Sequence, residues 1–312
     1  MLIFFKRVEW DEKMIEKEYR RLNIPAGDLR VSITNGCNMA CEYCHNEGQL
    51  SKDIKFMSLD KFKYIIDNSV GYGVFKVRIT GGEPLLHKQL GEILQFLRIN
   101  YPDIEVGLNT NGLLREKLVG ICSSGLVDRV VIGMDFYDAD ISKKSLIGIS
   151  SKAIRDTVLQ LIGYDIKVEI AVVYDENKED VLNLVEWGLT NGIVIKVIEK
   201  TCGKKNKAGN RDYFDVLSEI KEKYGLKCGI TADLKEYYLT NGHTRIKFFQ
   251  SHCDRKECDV CSRLHMRVTC DGAAEPCIMR KDTVFSLVDG NFRTNMCRAI
   301  ANLGNGPQRP IV

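Results

Sequence analysis

The chain has 312 residues, of which 44% are hydrophobic and 28% are charged, and its formal net charge is +3. This composition is typical of a globular protein, and the length allows a barrel of roughly 200–250 residues plus a smaller unit. The charge is too small to favour nucleic acid or a membrane surface as a partner, and no apolar run approaches the ~20 residues of a membrane span. The apolar start, Met1 to Phe5, is followed at once by Lys6 and Arg7, so we expect no export signal and a cytoplasmic protein.

Apolar segments alternate with amphipathic segments along the first two thirds of the chain. Six strands are predicted, at Leu29–Thr34, Phe75–Thr80, Ile104–Asn109, Val130–Met134, Ile166–Val173 and Ile193–Ile198. Each is followed by a predicted helix, at Leu59–Val70, Leu90–Ile99, Leu113–Cys122, Ala153–Ile162, Val181–Leu189 and Phe214–Lys223. The strands are apolar on both faces, which is typical of buried parallel strands. Six strand–helix units in succession predict an α/β fold, a partial (β/α)6 barrel of the TIM-like kind.

The pattern changes beyond about Gly225. Lys227–Thr231, Glu236–Leu239 and Thr244–Phe249 have the alternation of antiparallel strands, and Asn241-Gly242 is a turn signal between the last two. We therefore predict an N-terminal helical segment at 1–26, the partial barrel at 27–224 and a C-terminal unit at 225–312.

Twelve cysteines are many for a chain without an export signal, and they favour metal ligands over disulfides. Cys37, Cys41 and Cys44 form a C-x3-C-x2-C run directly after the first strand, at the barrel end that carries catalytic residues. Three thiolates can hold a [4Fe–4S] cluster and leave one iron open, because such clusters normally have four cysteine ligands. Two alternatives stay open, since Cys41 to His45 also matches the haem-attachment pattern and C-x2-C pairs bind zinc.

A second group of cysteines lies near the end of the chain, at Cys253, Cys258, Cys261, Cys270 and Cys277. The clustering and the C-x2-C pair within it predict a second metal site. The four scattered cysteines are expected to be small buried hydrophobes.

Thr80 to Pro84 spells Thr-Gly-Gly-Glu-Pro at the end of the second strand. We expect its paired glycines, Gly81 and Gly82, to let a ligand approach the backbone closely. Together with the cysteine run, this segment resembles the radical S-adenosylmethionine superfamily. The resemblance implies that S-adenosylmethionine binds the open iron and that the segment, Glu83 included, contacts the cofactor's amino group. It also implies that an electron from the cluster cleaves the cofactor, and that the resulting 5′-deoxyadenosyl radical removes a hydrogen from the substrate.

The same resemblance assigns further residues to the cofactor. Tyr43 occupies the family's aromatic position between the second and third cysteines, and Thr110 and Asn111 lie in the matching segment after the third strand. A low-potential electron donor such as flavodoxin or ferredoxin is the implied protein partner.

Within the superfamily, the chain is similar to the GTP 3′,8-cyclases of molybdenum-cofactor biosynthesis from about Gly27 to Lys281. The similarity implies a second [4Fe–4S] cluster, held by Cys258, Cys261 and Cys277 in a C-terminal unit of the twitch or SPASM type. Cys253 and Cys270 are extra cysteines outside the cyclase pattern, and either could complete this ligand set. It also implies a nucleotide substrate and a catalytic role for Arg263 in steering or quenching the product radical. The positive side chains that would bind the substrate are Arg30, Arg78, Lys167, Arg263 and His265.

Some positions depart from the cyclase pattern. Gly133 stands where a serine usually contacts the cofactor, and the spacing from Cys261 to Cys277 is longer than expected. Two other functions therefore stay open. One is a radical enzyme of the same architecture that modifies a peptide or an antibiotic precursor, and the other is a non-catalytic zinc protein.

Overall fold

The computed structural model describes residues 23–41, 43–45, 49, 53–138, 150–200, 211–230, 236–250, 264–278 and 280–303. Six strands form its centre: β1 (Asp28–Ser32), β2 (Lys76–Thr80), β3 (Glu105–Thr110), β4 (Arg129–Gly133), β5 (Lys167–Tyr174) and β6 (Val194–Glu199). The helices that follow them are α1 (Leu59–Ser69), α2 (Leu90–Asn100), α3 (Arg115–Ser123), α4 (Ser151–Leu161), α5 (Lys178–Asn191) and α6 (Arg211–Tyr224). A last helix, α7, spans Phe292–Ala301.

The six central strands are parallel and lie side by side in chain order. A parallel pair needs a crossover between its strands, and a helix supplies it in each unit, as in other βαβ folds. The prediction of an α/β fold with a partial, TIM-like barrel is therefore confirmed.

The prediction that the strands are apolar on both faces is wrong. In β1, Leu29 and Val31 are fully buried in the core, whereas Arg30 between them lines the interior of the barrel. The same alternation occurs in β6, where Ile195 and Val197 are buried and Lys196 faces the interior. Successive side chains of a strand point to opposite faces, so each strand packs an apolar face outward against helices and can place a charged face inward.

The strands beyond residue 225 belong to the same sheet as the barrel. The antiparallel set predicted here consists of β7 (Lys227–Ile230), β8 (Glu236–Thr240) and β9 (Arg245–Phe249), and β9 also pairs in parallel with β6. At the other edge, β10 (Met266–Val268) pairs in parallel with β1 and continues antiparallel into β11 (Ala273–Ala274) and β12 (Phe285–Ser286).

The C-terminal strands thus extend the barrel sheet at both of its edges, in the order β12-β11-β10-β1-β2-β3-β4-β5-β6-β9-β8-β7. The predicted boundaries near residues 27 and 225 stay predictions, and the N-terminal segment falls almost wholly outside the described residues. Within the part of the chain that the structure describes, no helix is both long enough and apolar enough to cross a bilayer.

Candidate active site

A cavity of about 440 Å³ opens at the carboxyl ends of the central strands and reaches into the barrel. Small-molecule sites usually have volumes of roughly 300–1,000 Å³, so the cavity is of the right size for a cofactor or substrate. The cysteine loop after β1 and the strands β1 to β6 all contribute to it. Its polar lining includes Arg30, Tyr43, Arg78, Thr80, Asn109, Thr110, Asn111, Arg129, Asp135, Glu169 and Lys196.

The three predicted cluster ligands lie on the loop that follows β1. Cys41 lines the cavity, while Cys37 and Cys44 are exposed. Although Cys37 is exposed, neighbouring protein atoms remove part of the water around its sulfur and raise the pKa of its thiol. Burial raises the pKa of Cys41 to about 11, and repulsion from Cys44 adds to both shifts. The three sulfurs are therefore close enough to affect one another, and their ionised forms would need a positive partner at this place.

An iron–sulfur cluster suits this arrangement, because a bound metal deprotonates a coordinating thiol. Within the described residues, no three Cys, His, Asp or Glu side chains converge as the ligands of a single metal ion do. A cubane carries its irons at separate corners, so its thiolates are spaced more widely than the ligands of one ion. The three cysteines of the loop are the ligand type that an iron–sulfur cluster requires, and their role as its ligands stays a prediction.

Tyr43 connects the cysteine loop to the segment that follows β4 through a side-chain hydrogen bond. Its hydroxyl donates a hydrogen bond to Asp135, which follows β4. The other carboxylate oxygen of Asp135 accepts the backbone N–H of Val173 in β5 at 3.0 Å. Burial and the Asp135 carboxylate both raise the pKa of the Tyr43 phenol, which keeps it protonated as a donor.

Gly81 and Gly82, which follow β2, lie in close contact with the backbone at the start of the cysteine loop. A Cβ atom on Gly81 would lie 2.3 Å from the carbonyl oxygen of Thr34, and one on Gly82 would lie 2.2 Å from that of Gly36. The backbone N–H of Gly82 donates to Thr34 at 2.8 Å, and that of Glu83 donates to Gly36 at 2.7 Å. Both glycines therefore admit the start of the cysteine loop, and the expectation that they also let a ligand approach the backbone stays a prediction. Only Gly82 of the two also lines the cavity.

Glu83 is fully buried and organises the end of β3. Its carboxylate accepts hydrogen bonds from the Thr110 hydroxyl at 2.7 Å and from the backbone N–H groups of Asn111 at 2.8 Å and Leu85 at 2.9 Å. The Glu83 side chain therefore does not face the cavity, and any contact it makes with a cofactor would have to come from its main chain. Burial raises the pKa of this carboxyl, and the three donors oppose the shift.

Asn111 links this network to the cysteine loop. Its side-chain amide donates to the Asn38 side chain at 2.7 Å and approaches the Cys37 sulfur at 3.8 Å. Thr110 and Asn111 both lie on the cavity wall, beside the predicted cluster ligands. Their position agrees with the predicted cofactor-binding role, which stays a prediction.

Deeper in the barrel, the first two strands contribute arginines. Arg30 and Arg78 are neighbours in the β1–β2 register, and both line the cavity. Arg78 forms an ion pair with Asp28, whose side chain is only 2% exposed. The chain itself thus supplies a counter-charge for Arg78, so this cation does not require an anionic ligand to offset its burial.

Across the barrel, a second set of charged side chains surrounds Glu169 in β5. Its carboxylate is hydrogen-bonded to Arg129 in β4 and to Lys247 in β9. Burial by itself raises the pKa of Glu169, but the attraction of the two cations outweighs it and holds the pKa below its ordinary value. Lys196 in β6 lines the same part of the cavity. The barrel interior therefore carries both signs of charge.

Two of the predicted substrate-binding residues lie elsewhere. Lys167 is the first residue of β5, is 75% exposed and lies 3.9 Å from Glu105 at the amino-terminal rim of the strands. The prediction that it lines the substrate cavity is wrong, because strand register and not residue type decides the end at which a side chain emerges. His265 precedes β10, which pairs in register with β1 from Leu29, so it also lies near that rim and outside the cavity lining.

The predicted second cluster can be examined only in part. Cys258, Cys261 and Arg263 lie outside the described residues, as does Cys253. Cys277 is described and half-buried, and it follows Glu275, whose N–H bonds to Arg267 in β10.

Cys270 and Cys277 lie at opposite ends of the hairpin formed by β10 and β11. The N–H of Cys270 donates to the Gln49 side chain at 2.9 Å, and Gln49 in turn bonds to Ser32 at the end of β1. Cys270 follows β10 at the carboxyl ends of the strands, whereas Cys277 follows β11, which runs in the opposite direction. We therefore predict that Cys270 is not a ligand of a cluster held by Cys277.

Three cavity residues outside the predicted set stand out in the sequence by their charge. Glu169 lies inside the predicted strand Ile166–Val173, Lys196 is the only charged residue of the predicted strand Ile193–Ile198, and Arg129 immediately precedes the predicted strand Val130–Met134. A charged residue in a buried strand costs free energy unless it has a partner or a role, so charges at these places are candidates for the barrel interior. Asp135 carried no such signal, because it lies in a loop where acidic residues are common.

The sequence of this chain is similar to one protein family and to several known relatives. The model of the radical SAM superfamily matches residues 31–188, just over half of the chain. A GTP 3′,8-cyclase of Helicobacter pylori is 30% identical over 269 residues, covering 82% of this chain and 81% of the relative. A probable GTP 3′,8-cyclase of Archaeoglobus fulgidus is 30% identical over 302 residues, covering 92% and 96%. A third, from Methanococcus aeolicus, is 29% identical over 270 residues, covering 83% and 88%.

Solved structures share the fold at low sequence identity. Streptococcus suis SuiB bound to its precursor peptide SuiA superimposes with a TM-score of 0.67 at 14% identity, over 90% of this chain and 66% of SuiB. The protein anSMEcpe with bound AdoMet gives a TM-score of 0.61 at 17% identity, over 89% of this chain and 81% of that protein. Identities this low establish the common architecture and no more.

Proposed function

Because this chain belongs to the radical SAM superfamily, we propose that it is a radical S-adenosylmethionine enzyme that acts on a purine nucleotide in the manner of the GTP 3′,8-cyclases. One observation carries the proposal. A single cavity connects the cysteine loop to a wall of positively charged side chains inside the barrel. The relatives named as GTP 3′,8-cyclases support the substrate class.

The cofactor end of the cavity would be formed by the cysteine loop and the strand ends beside it. Cys37, Cys41 and Cys44 would hold the cluster, and Tyr43, Thr110 and Asn111 would border the bound S-adenosylmethionine. A reduced cluster with this cofactor supplies one-electron chemistry that can remove a hydrogen atom from an unactivated C–H bond. The chain's own contribution is to fix these groups: Glu83 holds Thr110 and Asn111, and Asp135 holds Tyr43.

The substrate end lies deeper in the barrel. Arg30, Arg78, Arg129 and Lys196 face the cavity from four different strands. Guanidinium groups bind phosphate oxygens in pairs and fix the orientation of the bound group as well as its charge. A nucleotide held there by its phosphate would present its sugar and base toward the cysteine loop, where hydrogen removal takes place.

A second cluster held by Cys258, Cys261 and Cys277 remains part of the proposal, as does a role for Arg263 beside it. Cys277 lies toward the amino-terminal rim of the strands, away from the first cysteine loop. A cluster at this end would close the barrel opposite the first cluster and leave the substrate between them. Reduction of the first cluster would require a low-potential donor of the flavodoxin or ferredoxin type.

The proposal is tested by anaerobic reconstitution with iron and sulfide, followed by reaction with S-adenosylmethionine and a reductant. We expect about eight irons per chain, and release of 5′-deoxyadenosine that rises about tenfold or more with a purine nucleotide. The variant in which Cys37, Cys41 and Cys44 are all alanine should release none. A colourless, zinc-loaded protein would refute the radical enzyme. Release that ignores every nucleotide would refute the substrate class and leave a peptide or another precursor.

A further inference from the structure

The sulfur of Cys37 lies beside two N–H donors of the protein. The backbone N–H of Met39 reaches it at 3.4 Å, and the side-chain amide of Asn111 reaches it at 3.8 Å. The Met39 donor comes from the cysteine loop itself, whereas Asn111 follows β3 and lies 74 residues further along the chain. Asn111 thus brings a donor to a predicted cluster ligand from outside the loop.

The Asn111 side chain is fixed in the orientation that presents its nitrogen to Cys37. Its oxygen accepts the backbone N–H of Leu113 at 3.0 Å, so its nitrogen points the other way. One hydrogen of this nitrogen bonds to the Asn38 side chain at 2.7 Å. An amide nitrogen carries two hydrogens, so the second one is left for the Cys37 sulfur. The main chain is fixed as well, because the backbone N–H of Asn111 donates to the buried Glu83 at 2.8 Å.

Carboxylates near the cysteine loop oppose any further negative charge there. Repulsion from Glu83 contributes to the raised pKa of Cys37, and repulsion from Asp135 contributes to that of Cys41. An iron–sulfur cluster gains negative charge when it is reduced, and hydrogen bonds to its sulfurs are among the features that set its reduction potential. An N–H bond to a sulfur strengthens as the negative charge of the sulfur rises. Such a bond therefore favours the reduced form over the oxidised form.

We infer that Asn111 is a positioning residue that acts through Cys37: its side-chain N–H bonds to this ligand sulfur and raises the reduction potential of the first cluster. The inference rests on the proposed function, because it requires a cluster held by Cys37, Cys41 and Cys44. It concerns the step in which a low-potential donor loses one electron and the cluster gains it, with no covalent bond formed or broken. This role is separate from the predicted contact of Asn111 with S-adenosylmethionine.

The test removes the donor and keeps the turn. In Asn111→Ser, the hydroxyl can still accept the N–H of Leu113, since serine and asparagine both form such a bond with the residue two positions on. The serine side chain is one atom shorter and carries no N–H group for Asn38 or Cys37. Asn109→Ser is the matched control, because Asn109 lines the same cavity from β3 and, within the part of the chain that the structure describes, has no hydrogen bond to a cysteine.

The readout is the reduction potential of the first cluster in the reconstituted full chain without S-adenosylmethionine, obtained by potentiometric titration and EPR. The signal of this cluster is the one missing from the variant in which Cys37, Cys41 and Cys44 are all alanine. Asn111→Ser should shift the reduction equilibrium about tenfold toward the oxidised form, which is about 59 mV for a one-electron couple. Asn109→Ser should shift it by less than about threefold.

A merely structural role of Asn111 would lower the iron content and leave the potential of the assembled cluster unchanged. The inference is overturned if Asn111→Ser shifts the equilibrium by less than about threefold or toward the reduced form, or if Asn109→Ser shifts it equally. Asn111→Thr keeps the same turn bond and takes the place of the serine variant if that one holds no cluster at the loop. If neither variant holds it, Asn111 is needed to form the site and not to tune it, and the inference falls.

The alanine variant of the three loop cysteines separates the two proposals. If the wild type shows no cluster signal beyond the one that this variant retains, the proposed function is wrong and the inference falls with it. If the additional signal is present but has the same potential in wild type and Asn111→Ser, the radical enzyme stands and only the inference is wrong.

Discussion

Gly82→Ala tests whether the glycine pair serves the cysteine loop. The added Cβ would lie 2.2 Å from the carbonyl oxygen of Gly36, whereas real Cβ atoms essentially never come closer than 3.0 Å to such an atom. The obstacle is backbone, so no side chain can rotate away. The loop that begins at Gly36 must therefore move by at least 0.8 Å, the difference between these two distances. Cys37 is the next residue along it.

The cost can be derived from the contacts at this place. Two backbone hydrogen bonds join the loop to the end of β2, from Gly82 to Thr34 and from Glu83 to Gly36. Each contributes about 1 kcal/mol, and overpacking costs about 1–3 kcal/mol. If both bonds are lost, we expect Gly82→Ala to lower the free energy of unfolding by about 3–5 kcal/mol. It should also reduce 5′-deoxyadenosine release about a hundredfold, because a displacement of ~1 Å at a reacting centre can cost that much.

Stability is measured by urea unfolding of the metal-free protein, and function by iron content and 5′-deoxyadenosine release after reconstitution. Gly91→Ala in α2 is the matched control, because it adds the same methyl group where nothing lies within 4 Å. It should change stability by less than about 1 kcal/mol and leave activity at the wild-type level. If Gly82→Ala behaves like Gly91→Ala, the close packing of loop against strand does not position the cluster ligands.

Three further outcomes follow from the same structure. Cys277→Ala should lower the iron content of the reconstituted protein by about four per chain, while Cys270→Ala should leave it unchanged, and equal losses would contradict the separation of the two thiols. Arg78→Ala should lower the free energy of unfolding by about 3–5 kcal/mol, because it leaves a buried carboxylate without its partner, whereas Lys167→Ala at the exposed rim should change it by less than about 0.5 kcal/mol. The pKa of Glu169 is lower in the folded protein than in the unfolded chain, so its ionised form stabilises the fold at pH values above the ordinary pKa. This stabilisation is lost as the pH falls through the folded-state pKa. Glu169→Gln should therefore weaken the dependence of stability on pH, measured by urea unfolding between about pH 3 and pH 7.

Local features of the chain were readable from the sequence. The six strand–helix units follow from short runs of apolar and amphipathic residues, and their order alone predicts parallel neighbours. The cysteine run and the Gly-Gly-Glu segment are defined by spacings of a few residues. Such spacings determine which groups can share one turn or loop, so both motifs are recognisable without any tertiary contact.

Only the tertiary structure decided which charged residues meet. Glu169 and Lys247 are 78 residues apart in the chain, and they come together because β9 pairs with β6 beside β5. The resemblance to the cyclases implied that Lys167 binds the substrate, whereas the register of β5 places it at the opposite rim. Alternation along a strand tells which side chains share a face, but the pairing of distant strands sets the depth of each side chain in the barrel and the partner that neutralises it.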